Sequence, residues 1–283
     1  MSYKSIAVHL DTSERAHPRL ELALQIASRC EAHLTGVFSV YIPDPRAFYV
    51  MAGTAAYYPD HEAQRLERRA ALERLFRAEA ARANVPAEWV SVDDYANIAV
   101  PRIARCSDLI IAGQYDPNDS ESYVGEHFPE DIVMSSGRPV LFLPYAGTFT
   151  GNFAARGARV TVAWDGSREA TRAVHDALPF LKLAALTTIL TINGAKDEAW
   201  DSPIPGADIA AVIARHGVKV ETRNISVSND VSTGDALLSH VADDGSDLLV
   251  MGAYGHARWQ EMVMGGASQS LLNSMTVPTL MSH

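Results

Sequence analysis

The sequence predicts the α/β class, as two tandem doubly wound parallel sheets of five strands each. Three observations carry this. The chain has 283 residues, enough for two domains of ordinary size. Its second half repeats the pattern of its first. Within each copy, short apolar runs alternate with segments of helical period, the mark of a parallel sheet covered on both faces.

The repeat is read from three pairs of segments. SIAVHLDTSE near the start matches RVTVAWDGSRE, so that Asp11 stands opposite Asp165. SDLIIAGQYD at 107–116 matches SDLLVMGAYG at 246–255. RPVLFLPY at 138–145 matches VPTLMSH at 277–283, with Pro139 opposite Pro278. From Asp108 onward the two copies run in step without a gap. A period this long means duplicated domains rather than a solenoid. The expected domains are 1–146 and 156–283, joined through TFTGNFAARGA.

The elements of the second copy follow in order. RVTVAW is a buried strand. Residues 168–182 place Ala170, Val174, Ala177 and Leu181 on one helical face. TTILTI is a strand rich in β-branched residues. GADIAAVIARHG is a helix that Gly217 ends. VKVETRNISV alternates as a strand, and GDALLSHVADDG is a helix with its own terminal glycine. DLLVMG is a strand, GASQSLLNSM a helix and VPTLMSH a last strand. Right-handed crossovers then give the order 3-2-1-4-5. The first copy repeats this series with an aromatic-rich loop, YIPDPRAFYVMAGTAAYYPDHE, and a long charged helix, EAQRLERRAALERLFRAEAARA, which reads as a solvated face. The two final strands, RPVLFLP and VPTLMSH, are candidates to pair with each other, because an uncovered edge invites pairing.

Bulk composition excludes several functions. Hydrophobic residues make up 47% and charged residues 20%, as in soluble globular proteins. Lys and Arg total 24 against 34 Asp and Glu, a net charge of −10. The first 146 residues hold 14 and 20 of these, leaving 10 and 14, so neither half has the basic balance of a nucleic-acid binder. Cys30 and Cys106 form no CxxC pair or metal cluster and read as reduced thiols. The first apolar run ends at Asp11, too short for a signal peptide, and no run approaches the ~20 residues of a membrane span. The expected compartment is the cytoplasm, with no membrane partner.

Ligands of an open parallel sheet bind beyond the carboxyl ends of the strands, where strand order reverses. In the 3-2-1-4-5 order, Asp165 and Gly252 end neighbouring strands on one crevice. The stretch MGAYGHARWQEMVMGGASQSLL then spaces Gly252, Gly255, Gly265 and Gly266 between a strand and a helix. Gly252 and Gly255 allow a sharp turn and leave room for a sugar or phosphate. Gly265 and Gly266 open a helix whose free N–H groups suit an anion, and Ser268 adds a hydroxyl. An ordinary turn is the competing reading of two glycines after a strand, and Asp165 can equally cap the helix beginning near Ser167. The absence of GxxxxGK[ST] argues against a P-loop nucleotidase.

These residues resemble the universal stress protein family, whose nucleotide-binding members carry G-x2-G-x9-G-[S/T] here. Gly252, Gly255 and Gly265 match it; Gly266 stands where Ser or Thr is usual. The resemblance spans both copies and implies the adenine nucleotide alpha hydrolase-like fold. It also implies an ATP-like adenine nucleotide, with Mg²⁺ as its optional companion. Asp165 would face the base and ribose, the Ile192 backbone would meet adenine, and the glycine loop would hold ribose and phosphates. The expected role is nucleotide-responsive binding or regulation in a stress response, with an intramolecular pseudo-dimer and, by resemblance, homodimers of whole chains. No catalytic residue or metal ligand is read. The alternatives are a slow ATPase or transferase using the same crevice, and a scaffold without a ligand.

The first copy departs from the pattern. Gly113 keeps the place of Gly252, but Asp116 replaces Gly255, Glu126 and His127 replace Gly265 and Gly266, and Phe128 and Pro129 replace Ala267 and Ser268. A carboxylate ~4 Å from a phosphate repels it by roughly 4 kcal/mol at an effective dielectric of about 20. The first copy is therefore expected not to bind a nucleotide in the same way.

Overall fold

The computed structural model describes residues 2–39, 57–119, 125–146, 152–154, 157–192, 206–228, 230–254 and 267–283. Its first half contains β1 (Ser5–Leu10), α1 (Ala16–Cys30), β2 (His33–Ser39), α2 (Tyr57–Arg82), β3 (Ala87–Val92), α3 (Ala96–Ala104), β4 (Leu109–Gly113), α4 (Phe128–Ser136) and β5 (Val140–Leu143). A short 3₁₀ turn, Asn152–Ala154, precedes the second half. There follow β6 (Arg159–Ala163), α5 (Arg168–Asp176), α6 (Leu178–Leu181), β7 (Leu186–Ile192), α7 (Ala207–Ala214), β8 (Val220–Ile225), α8 (Thr233–Asp243), β9 (Leu248–Gly252), α9 (Ala267–Ser274) and β10 (Thr279–Ser282).

The strands form one sheet in the order β3-β2-β1-β4-β5-β10-β9-β6-β7-β8. Each half is a parallel 3-2-1-4-5 sheet, and the two are joined edge to edge. The halves share register as well as order. Ile6 pairs with Leu109 as Val160 pairs with Leu248. The strand starts are pinned alike: Asp108 Oδ2 accepts the Ser5 N–H at 3.0 Å, and Asp247 Oδ2 accepts the Arg159 N–H at 2.8 Å. At the outer strands Thr35 Oγ1 donates to Glu88, and Thr188 Oγ1 donates to Glu221.

The two last strands meet as the edge argument expects. β5 and β10 pair antiparallel, with Leu141 opposite Leu280. These two leucines are equivalent in the repeat, so the seam has the self-complementary form of a two-fold contact. Hydrophobic burial reinforces it. Phe153 of the linking turn packs edge-on against Phe180 at 5.6 Å between ring centres, and Tyr3 lies 5.4 Å from the same ring. The Tyr3 hydroxyl donates to the Asp176 carbonyl at 2.7 Å, and Ser282 Oγ donates to the Asp176 carboxylate at 2.9 Å.

Two cores flank the sheet. One holds α1, α2, α5, α6 and α7 and runs unbroken across the seam; the other holds α3, α4, α8 and α9. Two expectations are refined. Residues 168–182 form two helices, because Pro179 has no N–H to continue the first; Ala170, Val174, Ala177 and Leu181 are nonetheless all buried. The long helix starts at Tyr57, inside the segment expected to be loop. It seats Phe76 and Ala80 in the core, while Arg77–Glu73 and Arg82–Glu79 pair along its exposed side.

Candidate functional site

Doubly wound order places one crevice in each half, above the carboxyl ends of β1 and β4 and of β6 and β9. The two crevices are built differently. In the first, β1 ends in a buried polar group. Asp11 is 5% exposed, and Arg19, from the second turn of α1, is 3% exposed. Arg19 Nη1 donates to Asp11 Oδ2 and to the His9 carbonyl, both at 2.9 Å. Ser13 donates to Asp11 Oδ1 through its N–H at 3.0 Å and through its hydroxyl.

Burial by itself pushes the Asp11 carboxyl up. The charges of Arg19 and His9 and the bonds from Ser13 and Arg19 outweigh it and hold the pKa at about 2. His9 moves the same way for another reason. Burial drives its imidazole down from 6.5 to about 4, Arg19 adds to the fall, and Asp11 and the bond to Ser39 oppose it. The Ser39 carbonyl lies 3.3 Å from His9 Nε2, which assigns the proton of the neutral ring to that nitrogen. The ring also rests on Phe128, 4.7 Å between centres.

Arg19 fills the first crevice. A side chain placed on Gly113 would put its Cβ 2.3 Å from Arg19 Nη2. Phe128, the first residue of α4 and 2% exposed, lines the space that remains. Glu126 and His127 precede it, both exposed. Thus Arg19 and Phe128 close the crevice, in addition to the acidic side chains that the sequence singles out. Arg19 carried a signal: it occupies the apolar face of α1 with Ala23, Ile26 and Ala27, all buried, and an arginine there needs an acid within reach.

Among the described residues, no such plug enters the second crevice. Ala173, fully buried, stands where the repeat puts Arg19. Asp165 is exposed, and its Oδ1 accepts the Ser167 N–H at 2.9 Å. Ser167, rather than Asp165, caps α5: its Oγ accepts the Ala170 N–H at 3.0 Å. Ile192 ends β7, half-buried against the second core. Ser268 is buried in the first turn of α9, and its Oγ accepts the Tyr254 N–H at 3.2 Å, tying the start of the glycine loop to the helix after it. Tyr254 has a left-handed φ of 56°, which turns the chain sharply after β9. Gly255, Gly265 and Gly266 lie outside the described residues.

Gly252 has a packing role that its spacing does not reveal. A Cβ there would lie 2.4 Å from the Ala170 backbone N and 2.7 Å from the Glu169 carbonyl carbon. The space left by the missing side chain is taken by the start of α5. The four residues Asp165, Ile192, Gly252 and Ser268 nevertheless all lie at the carboxyl ends of strands or at the helix start that borders them. Among the described residues, no three His, Cys, Asp or Glu side chains converge as metal ligands. No helix among them is long and apolar enough to cross a membrane.

The fold class is thus a doubly wound α/β sheet, with a glycine-rich sequence after the fourth strand of its second half and an exposed aspartate after the first. The family model that matches is that of the universal stress protein family, over residues 158–283. The second half of the chain is thus similar to the universal stress protein family, and the first half repeats the fold of the second. Universal stress protein Slr1230 of Synechocystis sp. is 24% identical over 176 residues, which cover 61% of this chain and 57% of that relative. The match thus spans little more than half the length of that protein. Among solved structures, a universal stress protein from Archaeoglobus fulgidus superposes with a TM-score of 0.66 at 18% identity, covering 98% of this chain and 95% of its own. A functionally unknown protein from Pseudomonas aeruginosa covers 99% of this chain and 92% of its own, with a TM-score of 0.59 at 13% identity. These two show a shared fold along the whole length.

Proposed function

We propose that this chain is a cytoplasmic, two-domain adenine-nucleotide-binding protein of the stress response. Its units are 1–146 and 156–283, and the second alone holds the nucleotide. The observation that carries the reading is the contrast between the two aspartates: Asp11 is sealed under Arg19, whereas Asp165 is exposed beside a buried alanine. The residues of the second crevice fit the ligand. Asp165 keeps an oxygen for a ribose hydroxyl or base N–H. The Ile192 main chain ends the neighbouring strand. The Ser268 hydroxyl, already an acceptor for Tyr254, retains its own proton to give to a phosphate. A bound nucleotide would bring its phosphates, with any Mg²⁺ they carry, toward the start of α9. The protein's part is to bind and orient; a regulatory output then comes through changed shape or partners.

Calorimetric titration with ATP and with AMP tests this. The expected result is saturation at one nucleotide per chain, with Gly265→Glu weakening affinity about a thousandfold, from roughly 4 kcal/mol of repulsion. No saturation, two equivalent sites, or unchanged affinity in Gly265→Glu overturns the proposal.

A further inference from the structure

The plugged crevice of the first half is not featureless. Between Arg19, Gly113, Gln114, Phe128, Leu143 and Pro144 it keeps a partly open space of about 30 Å³, room for roughly two or three water-sized groups. Two of the side chains that line it carry a buried donor without a partner among the described residues. Arg19 Nε–H is one, its Nη1 being committed to Asp11 and His9. Gln114 Nε2 is the other, on a side chain 7% exposed. Its orientation is fixed by chemistry. The Tyr145 N–H can only donate, so the amide oxygen must face it, at 3.0 Å, and the NH₂ group faces away.

Unsatisfied buried donors are costly, and native proteins pair nearly all of them. Two unpaired donors on side chains that line one small space call for acceptor oxygens there. The floor is otherwise apolar, from Phe128 and Leu143. The mouth carries both signs: Arg15, with Asp116 and Asp119. Asp116 spends Oδ1 on the Asn118 N–H at 2.9 Å and keeps Oδ2 as an acceptor.

We propose that the first-half crevice is a separate binding site for a small carboxylate with a neighbouring hydrogen-bond donor, an α-hydroxy or α-amino acid of a few carbons. The carboxylate lies on Arg19 Nε and Gln114 Nε2, and the adjacent hydroxyl or ammonium turns out to Asp116. Arg19 thus excludes a nucleotide and selects a smaller ligand in the same space. The site is independent of nucleotide binding in the second half, and stands or falls without it.

The test is titration of the full chain with glycolate, glycine and acetate, read by calorimetry and by the NMR signals of the Gln114 side-chain amide. The expected result is saturation at one per chain at millimolar concentration. Glycolate or glycine should bind more tightly than acetate, Gln114 NH₂ should shift, and saturating ATP should change nothing. Gln114→Glu keeps the acceptor for Tyr145 while replacing the donor by an anion, and should weaken binding at least about tenfold. Three results overturn the site: no saturation or Gln114 shift at ~10 mM, which leaves the donors to ordered water; unaltered affinity in Gln114→Glu; or displacement of the acid by ATP. The Gln114 signals of the unmodified protein decide the matter even if the variant does not fold.

Discussion

Asp11 and Asp165 end equivalent strands in equivalent register, yet one is a buried ion and the other a surface carboxylate. The difference comes from one position on the following helix, arginine in the first half and alanine in the second. A duplicated fold can therefore keep its sheet, its seam and its strand pins while one copy buries the aspartate that the other leaves exposed. Backbone pairing fixes where the crevice lies; in the first half Arg19 of α1, with Phe128 of α4, fills it.

The largest effect should come from breaking the buried pair. Arg19→Met leaves Asp11 charged and without its main partner, which costs about 3–5 kcal/mol. The double variant Asp11→Leu with Arg19→Met removes both charges and should recover most of this loss. Denaturant unfolding of the wild type, the single and the double variants measures both terms. A double variant no more stable than Arg19→Met would show that the pair is not the unit that seals the first half.

A smaller effect distinguishes the halves by pH. His9 faces Asp11 and Arg19, and in the second half its place is taken by Ala163. Unfolded, the ring takes a proton near 6.5; folded, it resists until about 4. The unfolded chain thus binds more protons in that window. The contribution is fully present above pH 6.5 and lost as pH falls toward 4, on the order of 3 kcal/mol. Asp11 adds its own loss lower down, as pH falls from about 3.8 through about 2. His9→Gln keeps a donor for the Ser39 carbonyl and should flatten the dependence between pH 6.5 and 4. An equal slope in wild type and variant removes His9 from the account.

Much of this was legible in the sequence, and what was not has a physical reason. Strands and helices are set by period and burial, and the repeat doubled each signal, so DLLVMG and SDLIIAG reinforced one another. The seam followed from the need to cover two equivalent edges. The place of Arg19 on the apolar face of α1 was legible, but its partner was not, because Asp11 lies eight residues away and is recognised only once β1 and α1 pack. The packing role of Gly252 was hidden for a related reason. A glycine leaves space, but the sequence does not say which neighbour uses it, and here it is the α5 backbone.

Gly252→Ala therefore sharpens the comparison. The variant should lose about 1–3 kcal/mol of stability, since backbone at 2.4 Å must move to admit a methyl group. Gly113→Ala meets the end of an arginine side chain instead, and displaces the guanidinium from Asp11. The first variant should lower the melting temperature and leave the acid titration of Asp11 unchanged. The second should raise the pKa of Asp11. Identical behaviour of the two variants would mean that the glycines serve one purpose.

The smallest effect concerns two serines that the repeat makes equivalent, Ser13 and Ser167. Each follows its aspartate by two residues, and each N–H donates to that aspartate's Oδ1. Their hydroxyls part company. Ser167 Oγ accepts from the Ala170 N–H and caps α5, whereas α1 has no side-chain cap and the Ser13 hydroxyl donates to Asp11. A buried carboxylate needs donors more than a helix needs a cap, so burial of Asp11 has reassigned the hydroxyl. Ser167→Ala should cost about 1 kcal/mol through the lost cap. It should leave the bond to Asp165 in place, because that bond uses the backbone N–H. Ser13→Ala should instead move the Asp11 titration upward from about 2, since one of the groups holding it down is gone. Carboxyl NMR titration of Asp11 in both variants decides between them: a shift in Ser167→Ala, or none in Ser13→Ala, would show that the two hydroxyls do the same work.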